Sequence, residues 1–393
     1  MAEQKPRNIL FGVCGIGTGH TYRQLPLIEH FVARGDRLVI FAYGESLAFY
    51  TGRYGDSKKF ADIVVVPVSV LFYVGNKDGL DFVATAALEK NRAVDHTAIN
   101  TLALARAQQF FAAGSETGAT ADLVVSDYEP VAAQYAYASG SPLVTIDQQS
   151  KYLVGDFPVD LGGQSYKDEI ARLKLFFPRA HKRIACSFFQ VAPKPQAEVE
   201  EGVTLCAAIL KESIVDLAAK RQAVDRQELP SVLVYISSQQ DFVQELSQVV
   251  EACAGLTEAN FHIFLPRGVD GESLAQGRTN VKTYKQGDPR FLEVLSGASG
   301  IVTTAGHTLL SEAVHLGIPL YVVPLPVYEQ AMNAHIIDKH GFGLSRSNIN
   351  TGDLAHFLAG IPVFAAAIAA DREVLLRGQG RDQVIALLEE ILR

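Results

Sequence analysis

The chain has 393 residues, 48% hydrophobic and 20% charged, with 43 acidic side chains against 35 lysines and arginines and a net charge of −8. That balance gives no basic footprint for nucleic acid and no cationic surface for a membrane, and the length suits two domains of about 200 residues, each able to bury a core. No apolar run of about 18 residues or transmembrane segment is expected. MAEQKPRN leads into a strand without a signal peptide, and Cys14, Cys186, Cys206 and Cys253 share no metal-ligand spacing, so a cytoplasmic protein with reduced, buried cysteines is the expectation.

In chain order, Asn8 to Cys14 reads as a fully buried strand, Gly15-Ile16-Gly17-Thr18-Gly19-His20 as a glycine-rich turn, Arg23 to Arg34 as a helix and Leu38 to Phe41 as the next strand. This βαβ opening departs from a dinucleotide fingerprint. His20 stands where the third glycine belongs, and no acidic residue closes the second strand to hold a ribose. Gly17 and Gly19 let a substrate approach the backbone closely. Residues Asp62 to Val70 read as a strand and Val83 to Phe111 as helical, with Phe72 to Lys77 between them an aromatic acceptor loop. Two further buried strands, Asp122 to Asp127 and Pro142 to Asp147, each end in a carboxylate at the sheet edge where α/β folds bind ligands. Asp127 there is either functional or the cap of the helix that follows Pro130. Ile184 to Phe189 is expected to close a first domain (1–190). The Pro- and charge-rich stretch 191–207 reads as a linker, and 208–393 as a second domain.

The second half repeats the α/β pattern with strands at Val232 to Ile236, Phe261 to Leu265 and Val281 to Tyr284. Ser237-Ser238 follow the first of these, and Arg290 sits on the loop after the third. Ile301 to Thr304 then makes a buried strand, Ala305-Gly306-His307 a tight turn, and Thr308 to Leu316 a helix with one apolar face. A helix N-terminus at a strand's carboxyl end offers unpaired N–H groups and partial positive charge to a phosphate. Glu312, one turn beyond Thr308, can accept hydrogen bonds from ribose hydroxyls. Gly317-Ile318-Pro319 stops the helix, Leu320 to Val323 forms the next strand, and the following loop presents Glu329, Gln330 and Asn333 toward sugar hydroxyls. Asp353 to Leu358 and Arg372 to Leu392 read as helical.

The set Gly306, Thr308, Glu312, Gly317-Ile318-Pro319, Glu329-Gln330 and Asn333-Ala334 resembles the donor-binding signature of the UDP-glycosyltransferase superfamily. Together with Asp127-Tyr128-Glu129-Pro130 and Ile146-Asp147-Gln148-Gln149, it resembles a MurG-like branch of glycosyltransferases over most of the chain. The resemblance implies a GT-B fold, two Rossmann-like domains facing across a cleft, with the last helix able to pack back on the first. It implies inverting, metal-independent transfer of a sugar from a nucleotide diphosphate sugar, with UDP favoured, to a small-molecule or lipid-linked acceptor, and no cofactor. On the same basis His20 is the general base, Asp127 orients it, and Glu129 replaces or assists Asp127. Gly17, Gly19 and Asp147 line the acceptor side, while Ser238, Thr304, Gly306, His307, Thr308, Glu312, Glu329, Gln330 and Asn333 hold the donor. Ser237-Ser238 stands where the family usually has Gly-Ser, which puts close backbone approach in question. Two alternatives remain: a nucleotide-sugar 2-epimerase of the same fold, using Asp127, Glu129 and Asp147, and an inactive nucleotide-sugar-binding protein.

Overall fold

The computed structural model describes residues 5–76, 78–113, 120–194, 202–221, 229–236, 242, 244–266 and 268–393. Two parallel sheets organise them. The first joins β1 (Asn8–Val13), β2 (Arg37–Ala42), β3 (Ile63–Pro67), β4 (Leu123–Asp127), β5 (Leu143–Asp147), β6 (Lys182–Ser187) and β7 (Val203–Ala207) in the order β7-β6-β5-β4-β1-β2-β3. The second joins β8 (Ser231–Tyr235), β9 (Asn260–Leu265), β10 (Val281–Lys285), β11 (Gly300–Thr303), β12 (Leu320–Val322) and β13 (Gly343–Ser345) in the order β10-β9-β8-β11-β12-β13. Helices cover both faces, which is why β1 and β4 are apolar or fully buried along their whole length rather than alternating.

The strand order reverses beside β1 in the first sheet and beside β8 in the second. At such a switch point the chain leaves neighbouring strands in opposite directions and a crevice opens at their carboxyl ends. In register, Val13 faces Asp127, so the glycine loop after β1 and the Asp127 turn after β4 flank one crevice. Tyr235 faces Thr303, which puts the turn before His307 at the other.

The expected linker 191–207 is corrected at its end. Val203–Ala207 pairs in parallel with Arg183 to Ser187 and is the edge strand of the first sheet, so Ile184 to Phe189 does not close that unit. The alternating apolar residues of Val203-Thr204-Leu205-Cys206-Ala207 are a strand pattern that the neighbouring proline and charge obscured. Helix Arg381–Ile391 returns to the first unit, where Val384 and Leu388 enter its core and Glu389 bonds Arg34 and, at 3.0 Å, His30. Residues 372–380 precede this helix without joining it.

A second correction concerns hydropathy. Helix Thr351–Ala370 is long and apolar enough, by length and composition, to cross a membrane. Its Leu354, Phe357 and Ile361 pack in the core of the second sheet. The two units also share a core: Tyr152, Phe188 and Phe189 from the first meet Leu310, Tyr328 and Met332 from the second.

Candidate functional site

Helix Gly19–Arg34 starts at the end of the glycine loop and carries His20 on its first turn and Arg23 and Gln24 on its second, all turned toward the end of β4. His20 Nδ1 lies 2.8 Å from Asp127 Oδ1. Arg23 grips the same carboxylate twice, Nε donating to Oδ2 and Nη2 to Oδ1, both at 2.8 Å, and Gln24 Nε2 donates to Oδ2 at 3.0 Å. Asp127 has no solvent exposure, and although burial opposes its charge, Arg23 and His20 hold its pKa far below the usual carboxylate range. The carboxylate is ionised, oriented and saturated with donors.

His20 also meets Cys14, whose sulfur lies 3.0 Å from the Tyr43 hydroxyl. Burial disfavours the imidazolium, but Cys14 and Asp127 outweigh that and raise the His20 pKa to about 10. Next in the chain, Tyr128 adopts φ 55°, the one positive φ outside glycine among the described residues. Bulky side chains avoid that region, and such strain is a recurrent mark of a functional turn.

Glu129 has a different task from the one expected. Its two oxygens accept from the N–H groups of Val131 and Ala132, each at 2.8 Å, and cap helix Pro130–Ser139. Glu129, not Asp127, is therefore the cap; burial pushes its pKa up to about 7. Asp147 is likewise spent locally, accepting from the Ser150 N–H and hydroxyl at 2.6 and 2.9 Å in a buried turn.

Across the crevice, helix His307–His315 begins at Gly306 with no side-chain cap. The Ala305 turn is fixed from behind: Gln330 Oε1 accepts from the N–H groups of Ala305 and Leu325, and Asn333 Nδ2 donates to the Ala305 carbonyl at 2.9 Å. These amides brace the turn instead of reaching toward sugar hydroxyls, although Asn333 Oδ1 keeps no partner among the described residues. Thr304 is buried behind the turn, and Glu329 is half-buried on the helix beyond it. His307 is 6% exposed with Nε2 unpartnered; burial first, then the Lys151 and Arg23 charges, drive its pKa well below normal and keep the ring neutral. Ser238 lies outside the described residues.

Glu312 sits one turn into the helix and is buried, its Oε1 3.5 Å from Lys211 Nζ. Lys211 also lies 3.7 Å from the centroid of the Tyr22 ring, so the carboxylate expected to grasp ribose is tied, through one lysine, to the opposite unit. Arg290 is exposed and paired with Asp288 at 2.7 Å.

The two crevices meet. A Cβ added to Gly19 would stand 2.8 Å from Thr308 Oγ1, so the glycine is required by close approach of the loop to the other unit's helix. Gly17, at φ 70°, supplies the left-handed turn just before it. The arrangement sets an ionised, proton-handling cluster on one side of the seam and an uncapped helix N-terminus on the other. Arg23, Gln24 and Lys211 were not singled out from the sequence. The first two stand three and four residues after His20, the helical spacing that places side chains on one face, while Lys211 offers no local signal.

Residues 7–362 match the family described as Glycosyl transferase family 1. An NDP-glycosyltransferase from Bacillus subtilis (strain 168), YjiC, is 25% identical over 158 residues, 39% of this chain and 37% of that protein, so the chain matches little more than a third of this relative's length. Among solved structures, the glycotransferase of kitacinnamycin superposes with TM-score 0.63 at 17% identity, covering 99% of this chain and 100% of that one. MurG of Acinetobacter baumannii gives TM-score 0.61 at 14% identity over 98% and 100% of the two chains. A UDP-glucose: anthocyanidin 3-O-glucosyltransferase in complex with UDP gives 0.61 at 13% over 99% of each. At these identities the likeness is one of fold, the GT-B fold.

Proposed function

The chain belongs to glycosyl transferase family 1, and on that premise we propose that it moves a sugar from a nucleotide diphosphate sugar, UDP-linked, to an acceptor hydroxyl with inversion and without a metal. The single observation that carries this reading is the His20–Asp127 contact, its carboxylate buried and its imidazole partly exposed, at the seam where Gly19 meets the uncapped helix at Thr308. His20 takes the proton from the acceptor hydroxyl as that oxygen attacks the anomeric carbon. The glycosidic bond to the diphosphate breaks on the opposite face, and the electron pair leaves with the phosphate oxygen. Asp127, held by Arg23 and Gln24, fixes the ring and stabilises the imidazolium that forms. Charge growing on the departing diphosphate meets the N–H groups and dipole of helix His307–His315. The carboxylate of Glu312 takes the ribose hydroxyls, Lys211 then shifting toward the phosphates or solvent. Glu129 and Asp147 are occupied by their own helix and turn, which deprives the 2-epimerase alternative of two of its carboxylates.

The test is a panel of nucleoside diphosphates in a thermal-shift assay, followed by UDP-sugars with and without simple alcohol acceptors. A ligand of the folded state raises the melting temperature. UDP stabilisation with UDP release from a UDP-sugar supports the reading. Epimerised sugar without acceptor supports the alternative enzyme, and binding without turnover supports an inactive sensor.

A further inference from the structure

Helix Lys151–Val154 follows β5 and is buried throughout, Lys151 included at 0% exposure. The ammonium donates to Gln148 Oε1 at 2.8 Å and lies 4.8 Å from the centroid of the Phe189 ring, 5.3 Å from that of Tyr152. Among the described residues it has no ion pair. Taking an ammonium out of water without a carboxylate partner is costly, and a chain keeps one so only when packing enforces it or an anion arrives to meet it. Burial has the expected effect, pushing its pKa down to about 8.

Two neighbouring polar nitrogens also lack a partner among the described residues. Gln148 is 2% exposed, its oxygen engaged by Lys151 and its Nε2 without a partner. His307 Nε2, on the first residue of the uncapped helix, has none either. Phe188 packs on the His307 ring at 5.6 Å between centroids, and the adjoining Phe189 packs under the Lys151 ammonium. Lys151 is the largest charge acting on the His307 ring, which brings the ammonium, and the Gln148 amide that it bonds, near the start of that helix from across the seam.

We propose that Lys151, with Gln148 and His307, is the cationic side of a diphosphate subsite that closes over the donor from the unit opposite its nucleotide-binding helix. This rests on the glycosyl-transfer reading and deepens it. The helix N-terminus supplies partial charge from one side, Lys151 a full charge from the other. As the sugar–phosphate bond breaks and the phosphate oxygen keeps the electron pair, the ammonium stabilises the added charge without transferring a proton. The groups that set its proton affinity are Asp147 at the end of its own strand, Arg23 on helix Gly19–Arg34, Cys186 on β6, Glu329 on helix Tyr328–Lys339 and His307 on the donor helix.

The experiment is calorimetric titration of the full chain with UDP, inorganic pyrophosphate and uridine, for the unaltered protein and Lys151→Met. The expected result is a loss of about tenfold to a hundredfold in UDP and pyrophosphate affinity in K151M, the range of a lost charge-assisted contact, with uridine affinity unchanged. In the unaltered protein at pH 8.5, UDP binding should take up protons, seen as a heat that varies with buffer ionisation enthalpy, because the diphosphate, whose own phosphate protons are already gone at that pH, raises the pKa of a lysine that has partly lost its proton. K151M should melt no lower than the parent, since it removes a buried unpaired charge; a packing lysine would give a lower melting temperature. Should UDP and pyrophosphate bind and K151M lose neither, or proton uptake be absent, this inference alone is overturned. If the unaltered protein binds neither anion, the inference and the donor reading fall together.

Discussion

The two crevices that meet at the seam are built on opposite electrostatic plans. In the first, the charges of the proton-handling cluster are matched before a substrate arrives: Asp127 takes four hydrogen bonds from three side chains of one helix, and His20 meets both it and Cys14. In the second, the turn is braced from behind by Gln330 and Asn333, while the face toward the seam keeps an uncapped helix start and an unpartnered His307 nitrogen. A group that moves a proton has to be positioned in advance, because misplacement costs rate. A group that binds an anion has to stay unsatisfied until the anion comes, and the fold bears that cost as stability.

Perturbing the saturated side should do the most damage. Asp127→Asn removes the charge that compensates Arg23, leaving a buried guanidinium unpaired. A loss of about 3–5 kcal/mol in denaturant unfolding is expected, together with a fall in turnover of roughly a hundredfold or more. A variant as stable as the parent would show that Asp127 is not the anchor of this cluster. On the unsatisfied side, Glu312→Ala should weaken UDP binding by roughly 1–3 kcal/mol, the scale of lost charge-assisted hydrogen bonds. Unchanged affinity in calorimetry would remove Glu312 from the ribose.

The pH profile sharpens the contrast. A base acts in its neutral form, so with His20 raised to about 10, turnover should increase as pH rises through the alkaline range. Cys14→Ala removes a partner that stabilises the imidazolium and should move that rise to lower pH. Arg23→Met removes a cation whose Nη2 lies 2.9 Å from His20 Nδ1 and should move it to higher pH. Shifts in the same direction for both would contradict this electrostatic assignment. The smallest effect is expected at Glu129, where Glu129→Gln keeps one acceptor for the helix cap and should change turnover by less than about threefold, with a stability loss within the 0.5–2 kcal/mol of a weakened cap. A large kinetic loss there would restore it to the chemistry.

Much of this was legible because it depends on local pattern. Continuous apolar runs marked β1, β4 and β5, and the strand-turn-helix at Ala305 to His307 is a backbone arrangement that Gly306 and the Gly317-Ile318-Pro319 stop announce in sequence. The pairing of His20 with Asp127 spans 107 positions and came from family resemblance, not from spacing. Asp127 meets His20 as expected and Glu129 does not, because either carboxylate can cap the helix at Pro130 by its sequence position and only the tertiary position of Arg23, facing Asp127, decides which one turns inward. Lys211 and Lys151 were not recognised as contributors to the seam, since their roles exist only once the two units close on one another. Proline and charge just before it hide the edge strand Val203–Ala207, and Gly360 and Pro362 hide how far the helix expected at Asp353 to Leu358 runs on, to Ala370.

The role of His20 is decided by the rate of UDP release from a UDP-sugar that the protein turns over, measured with a saturating alcohol acceptor for the unaltered chain and for His20→Ala side by side. The variant should slow by roughly a hundredfold or more while calorimetry gives the same UDP affinity. Equal rates at equal affinity would contradict it.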